Sequence, residues 1–228
     1  MKGVIPMKRS MSENEMNFLA TLLKDFGSQQ IYEILIGLEK GINISGYIDS
    51  SFNEGQIAQI RRGLENGIDV SVYAKPEFDM QRMEITRKCL QFGMDKSICA
   101  NPEFSVDQME KIYSGFIDNL DVSLYANPKF NLRQMNEIRY GLLLGIDASI
   151  YADPKFNRDQ MEQIRKGLES GVDVSIYADP KYDRNQMRQI RDGLEQGLDV
   201  SSYANPEFGW FEMKQMRESI ESGKNGER

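Results

Sequence analysis

An aspartate and a serine two residues on recur at 26-residue intervals, as Asp69/Ser71, Asp95/Ser97, Asp121/Ser123, Asp147/Ser149, Asp173/Ser175 and Asp199/Ser201. A carboxylate beside a hydroxyl could ligate a metal or serve a hydrolase. Catalysis needs such a group only once, however, and evenly spaced copies point to a building part. Both residue types are favoured at helix N-caps, where a side-chain oxygen accepts a free backbone N–H. The pairs are read as caps. A second series is an arginine ladder, Arg61, Arg87, Arg139, Arg165, Arg191 and Arg217, broken only at Tyr113. Repeat proteins that read single-stranded RNA use one set of side chains per helical unit, so the ladder makes nucleic-acid binding the alternative function. Acidic residues outnumber basic ones by 35 to 28, a net charge of −7. Phosphate binding needs clustered cations, so nucleic acid is disfavoured. The simpler reading pairs each arginine with a nearby carboxylate and lays its stem along the core edge.

The 228 residues include no histidine. This removes Ser–His and Cys–His nucleophiles, imidazole metal sites and histidine switches. Two cysteines, Cys89 and Cys99, are too few for a disulfide framework or a four-thiolate zinc site. With no histidine or evident basic neighbour to activate them, both are expected to be inert. The expectation is therefore a protein that is no enzyme, with no catalytic residue, metal or cofactor. No run approaches the roughly 18 apolar residues of a membrane span. The basic N-terminus leads into no apolar stretch of a signal peptide. A cytoplasmic location follows as the default.

These residues are positioned by a repeat. Tyr47, Tyr73, Tyr125, Tyr151, Tyr177 and Tyr203 share a 26-residue register, with Cys99 in the remaining slot. In the clearest copy Asn157 is the N-cap of a long helix and Gln160 its third residue, a capping box. The box recurs at Asn53/Gln56, Ser105/Gln108, Asn131/Gln134 and Asp183/Gln186. Phe156 before the cap faces Met161 as a hydrophobic staple, and Ile164 and Leu168 continue the apolar stripe. Gly171 ends the helix in a left-handed conformation, as Asn119 does in another copy. Asp173 then caps a short second helix over 173–178, which Pro180 terminates. One stripe cannot bury itself, so the fold class is all-α: an α-solenoid of tandem 26-residue long-helix/short-helix repeats. Residues 1–25 form an N-terminal segment with a capping helix over 11–25, bearing Phe18, Leu22 and Leu23. Residues 26–222 form a single repeat domain without a linker, and 223–228 a frayed polar tail. The small residue at the tenth helical position, such as Gly63 or Gly167, is expected to admit the short helix closely.

The stretches 160–171 (Gln-Met-Glu-Gln-Ile-Arg-Lys-Gly-Leu-Glu-Ser-Gly) and 173–180 (Asp-Val-Ser-Ile-Tyr-Ala-Asp-Pro) resemble a short α-helical repeat of bacterial proteins of largely unassigned role, some encoded on mobile elements. The resemblance covers residues 26 to about 222. It implies the fold and brings no catalytic residues.

Differences between copies point to a binding surface. At helical positions one, eight and twelve, three copies carry Glu54/Arg61/Glu65, Arg158/Arg165/Glu169 and Arg184/Arg191/Glu195. The three copies between carry Met80, then Val106/Tyr113/Ile117, then Leu132 and Leu143. At about 100° per residue these positions form one stripe beside the core. It is expected to run over three neighbouring helices. Ile85, Phe92, Tyr140 and Leu144 make a looser set farther round. Contiguous apolar surface marks interaction sites. Met80, Val106, Tyr113, Ile117, Leu132 and Leu143, with Tyr140 and Phe92, are therefore expected to bind a protein partner or a second copy.

Overall fold

The computed structural model describes residues 13–226, and among them the secondary structure is helical, without strands. The chain divides into two compact units, 1–101 and 102–228. The first contains α1 (Glu13–Asp25), α2 (Ser28–Glu39), α3 (Glu54–Glu65), α4 (Met80–Gln91) and the short α5 (Lys96–Cys99). Each helix packs on the next. The second contains α6 (Val106–Ile117), α7 (Leu132–Leu143), α8 (Arg158–Glu169), α9 (Arg184–Glu195) and α10 (Trp210–Gly226), again packed in succession. The N-terminal helix expected over 11–25 corresponds to α1, with positions 11 and 12 outside the described residues. Helix α10 continues through Gly226, beyond residue 223 where the polar tail was expected to begin. Residues 227 and 228 lie outside the described residues. No described helix is long and apolar enough to cross a membrane.

Long helices begin at 28, 54, 80, 106, 132, 158, 184 and 210, in steps of 26 residues. Local chemistry sets both ends of each. In α8, Asn157 Oδ1 accepts the N–H groups of Asp159 (2.9 Å) and Gln160 (3.0 Å), while Gln160 Oε1 accepts the N–H of Asn157 (2.8 Å). The same box closes on α3, α6, α7 and α9, and an N-cap of this kind contributes about 1 kcal/mol. At the other end Gly171 has φ +71° and Asn119, the one described non-glycine with positive φ, has φ +58°. Asparagine tolerates that conformation next best to glycine.

The capping glutamine also does something that local spacing does not reveal. Gln160 Nε2 donates to the carbonyls of Pro180 (3.0 Å) and Tyr182 (2.7 Å), on the chain entering the next long helix. Gln56, Gln108, Gln134 and Gln186 make the same two bonds. One buried amide thus caps its own helix and fixes the start of its successor. In α4 the position is Arg82, which donates to the carbonyl of Asn101 at 3.3 Å.

The short elements are mostly single 3₁₀ turns, at Val70–Val72, Val122–Leu124, Ala148–Ile150 and Val174–Ile176; only α5 is α-helical. The tyrosines that follow the four 3₁₀ turns, Tyr73, Tyr125, Tyr151 and Tyr177, are fully buried, as is Tyr203 in the same register. The glycine at the tenth helical position is required by that ring, because a Cβ on Gly167 would overlap the Tyr177 hydroxyl and lie 2.8 Å from Val174 Cγ1. Tyr47 shares the register yet is exposed. Its segment, with Gly46 before it and Ser50 where Pro76 stands one repeat later, forms no short helix. Ile44, in the register of the buried Val70, is buried here as well, and a Cβ on Gly37 would meet the Arg61 side chain at 3.6 Å and no tyrosine hydroxyl. Between the helices lie Ile57, Ile60 and Met83 in the first unit, and Met109, Ile112, Met135, Ile138, Met161, Ile164, Met187 and Ile190 in the second. Burying each such side chain stabilises by roughly 1.5–3 kcal/mol.

Candidate functional site

The Asp-x-Ser pairs are caps. Asp173 Oδ1 accepts from the N–H of Ser175 at 3.0 Å and from its hydroxyl at 2.6 Å. The hydroxyl bond is the main reason the Asp173 carboxyl is held below its usual range. Asp69 and Asp199 behave alike, Asp69 with an added bond from Lys96. Each hydroxyl is bonded to the carboxylate of its own turn at the surface. Among the described residues no cluster of three or more histidine, cysteine or acidic side chains is placed to hold a metal.

The arginine ladder, Arg191 apart, is a set of locks between successive long helices; Arg191 pairs with Asp192 and Glu195 of its own helix. Arg165 Nε donates to Glu137 on the preceding helix at 2.6 Å, and its Nη1 pairs with Glu169 of its own helix. Arg61 repeats this with Glu33 (3.0 Å) and Glu65. In Arg87 and Arg217 an amide takes the carboxylate's place, Gln59 at 3.0 Å and Gln189 at 3.2 Å. Burial alone would favour neutral guanidinium, but the paired carboxylates outweigh it and raise Arg61 and Arg165 further above the ordinary arginine range. Arg139 departs from the rule. Lys111 occupies the acceptor slot on α6 and Leu143 replaces the partner four residues on, so Arg139 pairs with Asp118 at the C-cap of α6 instead.

These locks revise the expected apolar stripe. Arg61 and Arg165 at position eight are buried, so that position lies between consecutive helices and not on a free face. Tyr113, at the same position, is half-buried, as are Val106 and Leu132 at position one. Position twelve is different: Ile117 is 49% exposed and Leu143 53%. Tyr140 (49%) and Leu144 (48%) extend that surface on α7 and its C-cap. The remaining two residues belong to the first unit. Phe92, at the C-cap of α4, is exposed. Met80 is exposed in part, and its sulfur sits only 2.7 Å from where a Cβ on Gly55 of α3 would be. Glycine at the second helical position occurs in no other long helix after α2; it was the available sign that Met80 packs on its neighbour.

One open cleft, of about 390 Å³, lies between α7 and α8, lined by Arg133, Asn136, Glu137, Tyr140, Arg158 and Arg165. Its floor is Glu137, buried, bonded by Arg165 and at 3.2 Å by Arg158 Nε. The Arg165 guanidinium lies 4.5 Å from the Tyr140 ring centroid, a cation–π contact. Tyr140 therefore has one face committed to the lock while about half of its surface stays exposed. Sequence reading placed Tyr140 in the looser set and did not connect it to Arg165. The connection needed the offset between adjacent helices. No protein-family model, curated protein or solved structure matches the chain.

Proposed function

We propose that the chain is a non-catalytic scaffold of tandem helical repeats, an α-solenoid, that binds a protein partner or a second copy through the apolar ends of α6 and α7. The observation that carries this reading is the exposure of Ile117 and Leu143. Glu65, Glu169 and Glu195 hold the same position in helices of the same length and packing. The repeat therefore folds without an apolar group there. Exposed apolar side chains carry a solubility cost that an interface removes. Tyr140 and Leu144 enlarge the patch, and an exposed tyrosine ring supplies contact area of the kind that dominates interfaces.

Nucleic acid is the weaker alternative, because the ladder's guanidinium groups are held by carboxylates and amides within the fold. The test compares the natural chain with Ile117→Glu/Leu143→Glu. Light scattering reports self-association, and each protein is used as bait for partner capture. The proposal expects the double variant to lose the association or the captured protein. Retention of both would reject the surface. Titration with single-stranded RNA and DNA at two salt concentrations completes the comparison; salt-sensitive micromolar binding would replace the scaffold reading with the alternative.

A further inference from the structure

Helix α4 and the turn after it depart from the other repeats at three linked places. Ile60, Gly63 and Tyr73 in one repeat, and Ile164, Gly167 and Tyr177 in another, correspond to Thr86, Cys89 and Cys99. In the repeats with glycine, a Cβ on Gly63, Gly115, Gly141, Gly167 or Gly193 would overlap the tyrosine hydroxyl. The tenth helical residue and the register residue are thus aimed at one another. Cysteine at both places exchanges a hydroxyl over a glycine for a thiol facing a thiol. The two thiols are hydrogen-bonded to each other, unlinked and buried. Thr86 Oγ1 donates to the Cys99 carbonyl at 3.1 Å, holding the end of α5 on α4. This short element alone is α-helical, with the Cys99 N–H donating to Asp95 O at 3.0 Å.

We propose that Cys89 and Cys99 are a disulfide-forming site, a dithiol that hydrogen peroxide converts to a bond tying the last turn of α4 to α5. Three changes coordinated in one repeat favour this over two unrelated small core residues. A disulfide needs sulfurs about 2 Å apart and Cβ atoms at ~3.5–4.5 Å. The fold sets residue 89 against residue 99, the paired positions where glycine and tyrosine meet in the other repeats, and Lys96 and Ser97 of the four-residue α5 are exposed. A hydrogen bond from Cys89 holds the Cys99 thiol below its usual range. The same bond, with burial, pushes Cys89 up. In the proposed sequence Cys99, at the end of the short α5, attacks first. Its thiolate takes one oxygen of the peroxide as the O–O bond breaks, giving a sulfenic acid and a hydroxide that the released thiol proton converts to water. The Cys89 sulfur then attacks the Cys99 sulfur. The S–O bond breaks, and the hydroxyl leaves with the Cys89 proton as a second water. Two thiols lose two electrons and two protons, and the peroxide is reduced to two waters.

The experiment treats the full chain with hydrogen peroxide, removes the oxidant, denatures and alkylates with N-ethylmaleimide, and reads the intact mass. The site predicts loss of two hydrogens with no maleimide added, and two maleimides after reduction. Cys89→Ser should stop at a Cys99 sulfenic acid trapped by a dimedone probe. Cys89→Gly/Cys99→Tyr restores the residue pair of the other repeats, so it should stay helical and show neither product. Two maleimides on the peroxide-treated natural chain would overturn the proposal. So would sulfinic acid without a disulfide, or a disulfide linking two chains.

Discussion

A tyrosine hydroxyl seated over a glycine is the fit on which five of the repeats close, and it makes separable demands on the two residues. Gly167→Ala gains up to about 1 kcal/mol of helix propensity. Its Cβ, however, would overlap the Tyr177 hydroxyl and press on Val174, and overpacking of this kind costs roughly 1–3 kcal/mol. We expect a lower denaturant midpoint for Gly167→Ala. Most of the loss should be recovered in Gly167→Ala/Tyr177→Phe, because the atom met first is then gone. The hydroxyls themselves differ. Tyr177 donates to the Gln163 carbonyl at 3.2 Å, whereas the buried Tyr151 hydroxyl has no hydrogen-bond partner. Tyr177→Phe should therefore lose about 0.5–1.5 kcal/mol, and Tyr151→Phe should be neutral or stabilising. Equal losses from both in paired urea titrations would contradict the assignment. The glycine's need for close approach was legible from its place in the sequence. That the approaching group is a hydroxyl, and in one repeat a thiol, was not, since it depends on how the short turn folds back.

At the scale of the element, each long helix is capped by one amide that also grips its successor. Asn157→Ala should cost about 1 kcal/mol, as loss of an N-cap does. Gln160→Ala removes the other half of the box and leaves the carbonyls of Pro180 and Tyr182 without that donor. It should cost more, on the order of 1–3 kcal/mol. Urea unfolding followed by circular dichroism ranks the two, and a smaller loss for Gln160→Ala would refute its bridging role. The capping box was readable because it closes within four residues. The bridge reaches 20 and 22 residues on, and only the packing of consecutive helices brings its ends together. The arginine ladder taught the same lesson. A helical wheel puts position eight beside the core but does not say where the next helix axis lies. Arg165 is buried against the preceding helix, and Tyr113 at the same position keeps part of its surface exposed.

For the molecule as a whole, the buried tyrosines set an alkaline limit. Burial pushes Tyr125 and Tyr203 up to about 12 and raises Tyr73, Tyr151 and Tyr177 as well. The folded chain keeps these protons where the unfolded chain, near 10, releases them. Their contribution is complete below about pH 10 and is lost as pH rises through the folded values. Tyrosinate absorbance from these residues should appear together with loss of helicity; gradual ionisation near pH 10 in a fully helical chain would contradict their burial. Carboxylates act with the opposite sign. Glu162, held low chiefly by Lys166, supports the fold above its unfolded value near 4 and ceases to as pH falls through its folded one. The central claim is that the apolar ends of α6 and α7 are surface and not core. Thermal unfolding of Ile117→Glu/Leu143→Glu beside Ile138→Glu tests it most directly. The double variant should melt within about 1 kcal/mol of the natural chain, as surface changes do, while Ile138→Glu, which buries a charge, should fail to fold. A double variant as unfolded as Ile138→Glu would show that these side chains belong to the core.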